Sequence, residues 1–469
     1  MSHPALSPEA TATTIRAAVR SRAVRATEVA EVTLSRIQAT HEKLNAFTTV
    51  TAERALQEAA AVDAALSAGK DPGPLAGVPY SVKNLFDLAG ITTLAGSKVL
   101  NTCPPASRDA TAVTRLKAAG ALCLGAVNMG EFAYDFVTEN MFSGPTRNPR
   151  DLTRSAGGSS GGSAASVAAG LVPLSLGTDT NGSIRVPSSF CGIWGLKPTY
   201  GRLSRTGAFP FVASLDHIGP FARSVEDLAL AYDILQGTDL LDPVCTLRPP
   251  DLVSPRLETL PSGLRIGILD GYFATGGDTR AHAATETLAQ ALGAVRRIEL
   301  PDPGLARSAA FVITAAEGGQ LHLDRLRKQA ADFEPTIRDR LLAGALQPAA
   351  WYLQAQRFRA LWREQIHAIF QDVDVLLAPA TPVPATVLGQ EKMLLNGTEQ
   401  LVRPNLGVFT QPLSFIGLPV VAAPIQNAVG QLPIAVQLIG APWAESTLLR
   451  VARHLEKSGV CAAPTATFA

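Results

Sequence analysis

Apolar positions over about residues 8–68 recur at helix-like spacing, with Ile15, Val19, Val29, Val32, Leu34 and Ile37 marking one face. Ser7-Pro8-Glu9 reads as the entry to this region, a hydroxyl cap followed by proline in the first turn. The segment Gly73–Lys83 then switches to turn and strand signals. Beyond it the pattern alternates. Residues 110–119 predict a helix and 121–127 a buried strand. Residues 164–176 are apolar enough to require burial. Helices are predicted over 224–236 and 279–292, and strands over 264–269 and 374–379. Helix and buried strand in alternation predict an α/β fold whose sheet is covered by helices on both faces. No polar, Pro/Gly-rich linker divides the chain, so one domain over 1–469 is expected, with residues 1–70 as a helical N-terminal edge.

The chain has 469 residues, 46% of them hydrophobic, enough to bury a large core. A formal net charge of +1 argues against nucleic acid as the main ligand. Cysteines at 103, 123, 191, 245 and 461 have no metal-ligand spacing, so no metal is expected, and free thiols in a reducing cytoplasm are the default. The first residues carry no apolar signal core, and no apolar run nears 18 residues without Pro or Gly. A cytoplasmic location without a membrane span is therefore expected.

Candidate chemistry sits in two runs. Residues 157–163 read Gly-Gly-Ser-Ser-Gly-Gly-Ser, and residues 177–187 read Gly-Thr-Asp-Thr-Asn-Gly-Ser-Ile-Arg-Val-Pro. The first lets backbone approach closely and crowds hydroxyls. The second places Ser183 after a polar turn whose amides could converge on an anion. A hydroxyl nucleophile beside backbone N–H donors is what acyl transfer needs. A linker reading fails because the run leads straight into the apolar stretch 164–176. A strand–turn–helix nucleophile elbow fails because 147–154 is polar and cannot be a core strand. A phosphate loop fails because no lysine follows the glycines. The base is open between two candidates. One is His217, the first histidine after His41. The other is Lys83, in the apolar segment 78–86. Lys83 would need burial to lower its pKa by about 3 units from roughly 10.4, and an edge-strand lysine pointing to water is the alternative.

These runs, with Gly192-Ile-Trp-Gly-Leu-Lys-Pro-Thr199, Gly77–Lys83, Gly417–Pro424 and Pro433–Gly440, resemble the amidase signature family over essentially the whole chain. The resemblance implies that family's fold, with a large mixed β-sheet, a signature core over 71–240 and the rest of the fold in 241–469. It implies a Ser-Ser-Lys triad needing no cofactor: Ser183 as nucleophile, Ser159 as the bridging serine after a cis peptide bond, and Lys83 as base. Backbone N–H groups of Thr180, Asn181, Gly182 and Ser183 would form the oxyanion hole. Asp179 and Arg185 match residues that support the loop. Most relatives have glycine at position 181. Asn181 tolerates left-handed backbone, so the cradle can survive, and its side chain should narrow the pocket or contact substrate.

Within the family, residues 201–220, 314–324 and 351–359 are similar to the branch that hydrolyses carboxybiuret in s-triazine breakdown. That likeness implies a small carboxylated amide substrate, ammonia release, and a small helical companion subunit in a hetero-oligomer. The alternatives are a broad amidase and a glutamine-hydrolysing amidotransferase subunit. A carboxylated substrate needs a cation. Arg359 lies in a segment resembling one that holds a carboxylate-binding arginine in amidotransferases, with a solvated helix position as the alternative. Arg357 should face elsewhere. Cys191 and His217 read as structural, and Glu317 and His322 mark the branch without a derivable role.

Overall fold

The computed structural model describes residues 3–425 and 430–468. An eleven-stranded mixed sheet runs through it. Its strands in chain order are β1 (Phe47–Val50), β2 (Pro79–Lys83), β3 (Leu122–Val127), β4 (Leu174–Asp179), β5 (Trp194–Lys197) and β6 (His217–Ala222). There follow β7 (Ile266–Leu269), β8 (Arg296–Ile298), β9 (Val375–Pro379), β10 (Val420–Pro424) and β11 (Ala435–Gly440). Their spatial order is β1-β3-β2-β4-β6-β5-β10-β11-β9-β7-β8. β2 runs parallel to both β3 and β4, whereas β6 is antiparallel to β4. All three stretches of the chain, N-terminal edge included, contribute strands to this one sheet.

Every residue of β2 to β6 and of β9 to β11 is buried, which requires cover on both faces. The helices Gly161–Ala168 and Arg185–Cys191 pack on one another and on the sheet, as do Val225–Leu235 and Glu445–Lys457. Ser224 caps the third of these by accepting from the Asp227 amide at 3.1 Å.

The strands predicted at 121–127, 264–269 and 374–379 form β3, β7 and β9, and helices occupy Thr111–Ala118, Val225–Leu235 and Thr279–Ala291. The N-terminal region differs in detail. Its described residues hold three α-helices, Ala12–Arg20, Ala26–Leu44 and Ala52–Ser67, with β1 inserted between the last two. The first helix begins not at Pro8 but after Thr11, whose hydroxyl accepts from the Thr14 amide at 3.1 Å. Ser7 instead turns its hydroxyl to the Glu9 amide, closing a local turn. The polar segment before the Gly/Ser run forms a small hairpin, Arg147–Asn148 with Asp151–Ser155, outside the main sheet.

Candidate active site

Parallel pairing of β2 with β4 sets the site. The register Tyr80↔Leu174, Ser81↔Ser175, Val82↔Leu176 carries both strands to a shared C-terminal end, where Lys83 meets Thr178. Ligand sites in α/β sheets collect at such ends. Lys83 is fully buried. Its Nζ donates to Thr178 Oγ1 at 2.8 Å and to Ser159 Oγ at 2.7 Å. Burial pulls the ammonium down to about 7, against the pull of the Asp216 and Asp179 carboxylates in the other direction. A substantial fraction of Lys83 is therefore neutral near neutral pH.

Ser159 follows a cis peptide bond from Gly158. A Cβ on Gly158 would stand 2.5 Å from the backbone of Val137, so only glycine lets the two chains pass here. Thr138 braces the same turn, donating to the Gly157 carbonyl at 2.9 Å and accepting from the Gly161 amide at 3.0 Å.

The loop from β4 to the helix Arg185–Cys191 carries Ser183, and it is held from outside. Arg185 forks onto Asp179, with Nε to Oδ2 at 3.0 Å and Nη2 to Oδ1 at 2.9 Å, both side chains fully buried. Burial pushes the Asp179 carboxyl up, but Arg185 outweighs it, with help from Lys197, and holds it well below the usual range. Arg185 also donates to Gln437 Oε1 at 2.7 Å and the Thr410 carbonyl at 3.0 Å. Thr410 returns a hydrogen bond to the Asn181 carbonyl at 2.7 Å, and Thr180 Oγ1 donates to Asp216 at 2.6 Å. The Asn181 carbonyl and the Thr180 hydroxyl are thus taken up by Thr410 and Asp216. Among the described residues, the backbone N–H groups of Thr180, Asn181, Gly182 and Ser183 have no acceptor, and the Ser183 hydroxyl has no hydrogen-bond partner. Uncommitted backbone donors in the same loop as a free hydroxyl are the elements that an oxyanion cradle needs. The positive φ of the loop, +145°, falls on Gly182, where a Cβ would meet Thr410 Oγ1 at 2.3 Å.

The structure thus brings Lys83, Ser159 and the 180–183 loop into one buried region; among the described residues no hydrogen bond joins Ser159 to Ser183. His217 has Nδ1 at 2.9 Å from the Asp179 carbonyl. Burial, with Lys197 nearby, holds its imidazole neutral. His322 is buried against Phe132 at 4.0 Å between ring centroids and, with neither ring nitrogen paired, stays neutral. Asn181 turns its amide to Thr314 Oγ1 at 3.0 Å and leaves Oδ1 buried and unpaired.

Arg359 Nη2 donates to the Ser214 carbonyl at 2.7 Å and its Nε to the Phe415 carbonyl at 2.5 Å. Arg357, two residues earlier, is exposed. Glu317 grips the other side of Ser214, accepting from its hydroxyl at 2.6 Å and its amide at 3.1 Å. The pair stakes the segment that delivers Asp216 to Thr180. Sequence reasoning did not single out Thr178, Asp216, Thr314 or Arg340. Thr178 lies one residue past the position that the register sets opposite Lys83, inside the run 177–187 that the sequence marks. The others come from elements that only tertiary folding brings near.

Comparison with known proteins agrees with this architecture. The sequence profile described as Amidase matches residues 28–449. This chain belongs to the amidase family. It is 56% identical to AtzE, the 1-carboxybiuret hydrolase subunit of Pseudomonas sp. (strain ADP), over 93% of this chain and 95% of that one. It is 40% identical to a glutamyl-tRNA(Gln) amidotransferase subunit of Carboxydothermus hydrogenoformans, over 94% and 95% respectively. Among solved structures, an s-triazine catabolic enzyme described in a vestigial protein complex superposes with a TM-score of 0.95 at 54% identity, covering 96% of this chain and 99% of that one. The 6-aminohexanoate cyclic dimer hydrolase superposes at 0.85 with 29% identity, covering 96% and 97%. The chain is an amidase-family hydrolase. Among the described residues, no helix is long and apolar enough to cross a membrane.

Proposed function

We propose that this hydrolase cleaves the terminal C–N amide bond of carboxybiuret, releasing ammonia and leaving a urea dicarboxylate, as a step in cyanuric acid breakdown. Neutral Lys83 takes the proton of Ser159 while Ser159 takes that of Ser183, and the Ser183 oxygen attacks the amide carbon. The developing oxyanion accepts from the amides of residues 180–183. The relayed proton returns to the leaving nitrogen, ammonia departs, and water hydrolyses the acyl-enzyme by the same relay. The observation that carries this reading is the buried 2.7 Å Lys83–Ser159 hydrogen bond beside four uncommitted amides. Carboxybiuret as substrate rests on the 56% identity to a carboxybiuret hydrolase subunit.

The same likeness supports a hetero-oligomer with a small helical companion subunit, since the similar s-triazine enzyme is described in a complex. A cytoplasmic location fits five free cysteines. The test is ammonia release from carboxybiuret, biuret, allophanate, glutamine and simple amides, with and without a small subunit. Carboxybiuret should lead by at least tenfold in kcat/KM. Glutamine in front would point instead to an amidotransferase-type activity, and a flat profile to a broad amidase.

A further inference from the structure

We infer that Gln411 selects a ureido substrate. Its Oε1 is held by Arg307, and its Nε2 donates to the internal carbonyl of the ureido chain while Asn181 Oδ1 accepts from the adjacent N–H. The inference rests on the ureido substrate proposed above and names the groups that recognise its uncharged part. Gln411 follows Thr410, which is fixed to the Ser183 loop twice. The Thr410 hydroxyl donates to the Asn181 carbonyl at 2.7 Å, and its carbonyl accepts from Arg185 at 3.0 Å. The next side chain is thereby delivered to the narrow cleft beside Ser183, which Gln411 lines together with Asn181 and Thr314. Gln411 is buried, and its Oε1 accepts from Arg307 Nε at 2.8 Å. Arg307 is itself anchored by Nη2 on the Pro404 carbonyl and on Asn405 Oδ1, each at 2.8 Å. A guanidinium only donates, so the oxygen of the Gln411 amide must face it and the amino group is left over. Among the described residues Nε2 has no acceptor.

The second observation is Asn181, on the same cleft. Its amide nitrogen is tied to Thr314 Oγ1 at 3.0 Å, and its Oδ1 is buried without a donor. One cleft thus holds a donor and an acceptor, each the free end of an amide whose other end a neighbour holds. Buried polar groups left open are costly unless a ligand fills them. The charged groups of the cleft do not fill them, because they are occupied with one another. Asp135 accepts from the amides of Phe136 and Val137 at 2.7 and 3.2 Å and pairs with Arg403, which also reaches Glu334 at 3.1 Å.

A ureido chain supplies both missing partners on adjacent atoms: an N–H next to the scissile carbon and a carbonyl one atom further. An alkyl amide supplies neither, and binding it would shut both polar groups away from water unpaired. A site that hydrogen-bonds its substrate rejects an analogue lacking those groups far more strongly than an apolar pocket can. Gln411 and Asn181 therefore read the chain between the scissile amide and whatever lies beyond it.

The experiment measures kcat/KM for biuret, malonamide and butyramide. All three end in a primary amide. Malonamide keeps the internal carbonyl but has CH2 where biuret has N–H, and butyramide lacks both. The unaltered enzyme should prefer them in that order. Gln411→Glu keeps an oxygen for Arg307 and replaces the donor by an acceptor. It should lower the biuret-to-butyramide and malonamide-to-butyramide ratios each by about 10- to 100-fold. The biuret-to-malonamide ratio, which reads Asn181, should stay within about threefold. Gln411→Met, which fills similar space without either polar end, should do the same and carries the comparison if the glutamate variant does not fold. Equal losses on all three substrates, or unchanged ratios, overturn the inference. Arg307→Met, which frees the amide to turn, should lower the first two ratios and Arg307→Lys should restore them; ratios untouched by Arg307→Met overturn the part given to Arg307. If the unaltered enzyme ignores carboxybiuret, the proposed substrate is wrong. The Gln411 assignment is then read from malonamide as a competitive inhibitor of whichever amide the enzyme does hydrolyse. Its Ki must rise at least tenfold in Gln411→Glu or the assignment falls.

Discussion

Replacing Lys83 by methionine should abolish activity and at the same time alter stability in a way that depends on pH. The folded ammonium titrates at about 7, whereas an unfolded lysine titrates at roughly 10.4. Below about 7 both states hold the proton, and the native state bears the whole penalty of a buried cation. Between about 7 and 10.4 the unfolded chain keeps a proton that the native state has released, so wild-type stability rises with pH by about 1.4 kcal/mol per unit. Above 10.4 both are neutral and the penalty is gone. Methionine removes this penalty at every pH, and it also leaves Ser159 and Thr178 without the lysine donor, a loss of about 1–3 kcal/mol that does not vary with pH. The stability difference between variant and wild type should therefore shift by about 2 kcal/mol in favour of wild type from pH 7.5 to 9.0. For a chain of 469 residues the entropy of unfolding is roughly 1 kcal/mol per degree, so the Tm of wild type relative to the variant should rise by about 2 °C. Scanning calorimetry of both proteins at the two pH values reads it. In parallel, wild-type kcat/KM should fall about tenfold per pH unit below about 7, as Lys83 takes up its proton, and level off above. A Tm difference unchanged between the two pH values, with a rate still climbing past pH 9, would refute a neutral buried lysine as the base.

Ser183→Ala should reduce turnover to the background rate and remove any acyl-enzyme detectable by intact-mass spectrometry; turnover near wild type would move the nucleophile elsewhere. Asp179→Ala leaves Arg185 charged and buried without its partner, so a loss of about 3–5 kcal/mol is expected, seen as a Tm lower by several degrees; a shift under one degree would mean the loop is held by Thr410 and Gln437 alone. Asn181→Gly keeps the backbone cradle but cuts the tie to Thr314 and opens the cleft, so simple amides should gain on carboxybiuret; an unchanged ratio of their kcat/KM values would place the side chain clear of the substrate.

The reasons why some of this was legible in the sequence and some was not are physical. Helices and buried strands of five or more residues leave a periodic signature, and Lys83 is conspicuous because it ends a strand otherwise free of charge. β1 is four residues between two helices, too short for a period to register. The cradle was legible because its donors are consecutive in the chain. Its supports were not: Thr180 reaches Asp216 across 36 residues and Asn181 reaches Thr314 across 133, distances that only the sheet order closes. The two arginines show the limit most directly. A motif can place Arg359 on the right helix, but its donors end where acceptors are nearest, and those are carbonyls of Ser214 and Phe415, supplied by two remote segments. Arg340 lies in no motif; its guanidinium ends over the Tyr134 ring with one hydrogen bond, to the Tyr134 carbonyl, and near the buried carboxylate of Asp135. For a side chain with five donors, function is decided by which acceptors the fold leaves unfilled, and that is a property of the tertiary structure alone.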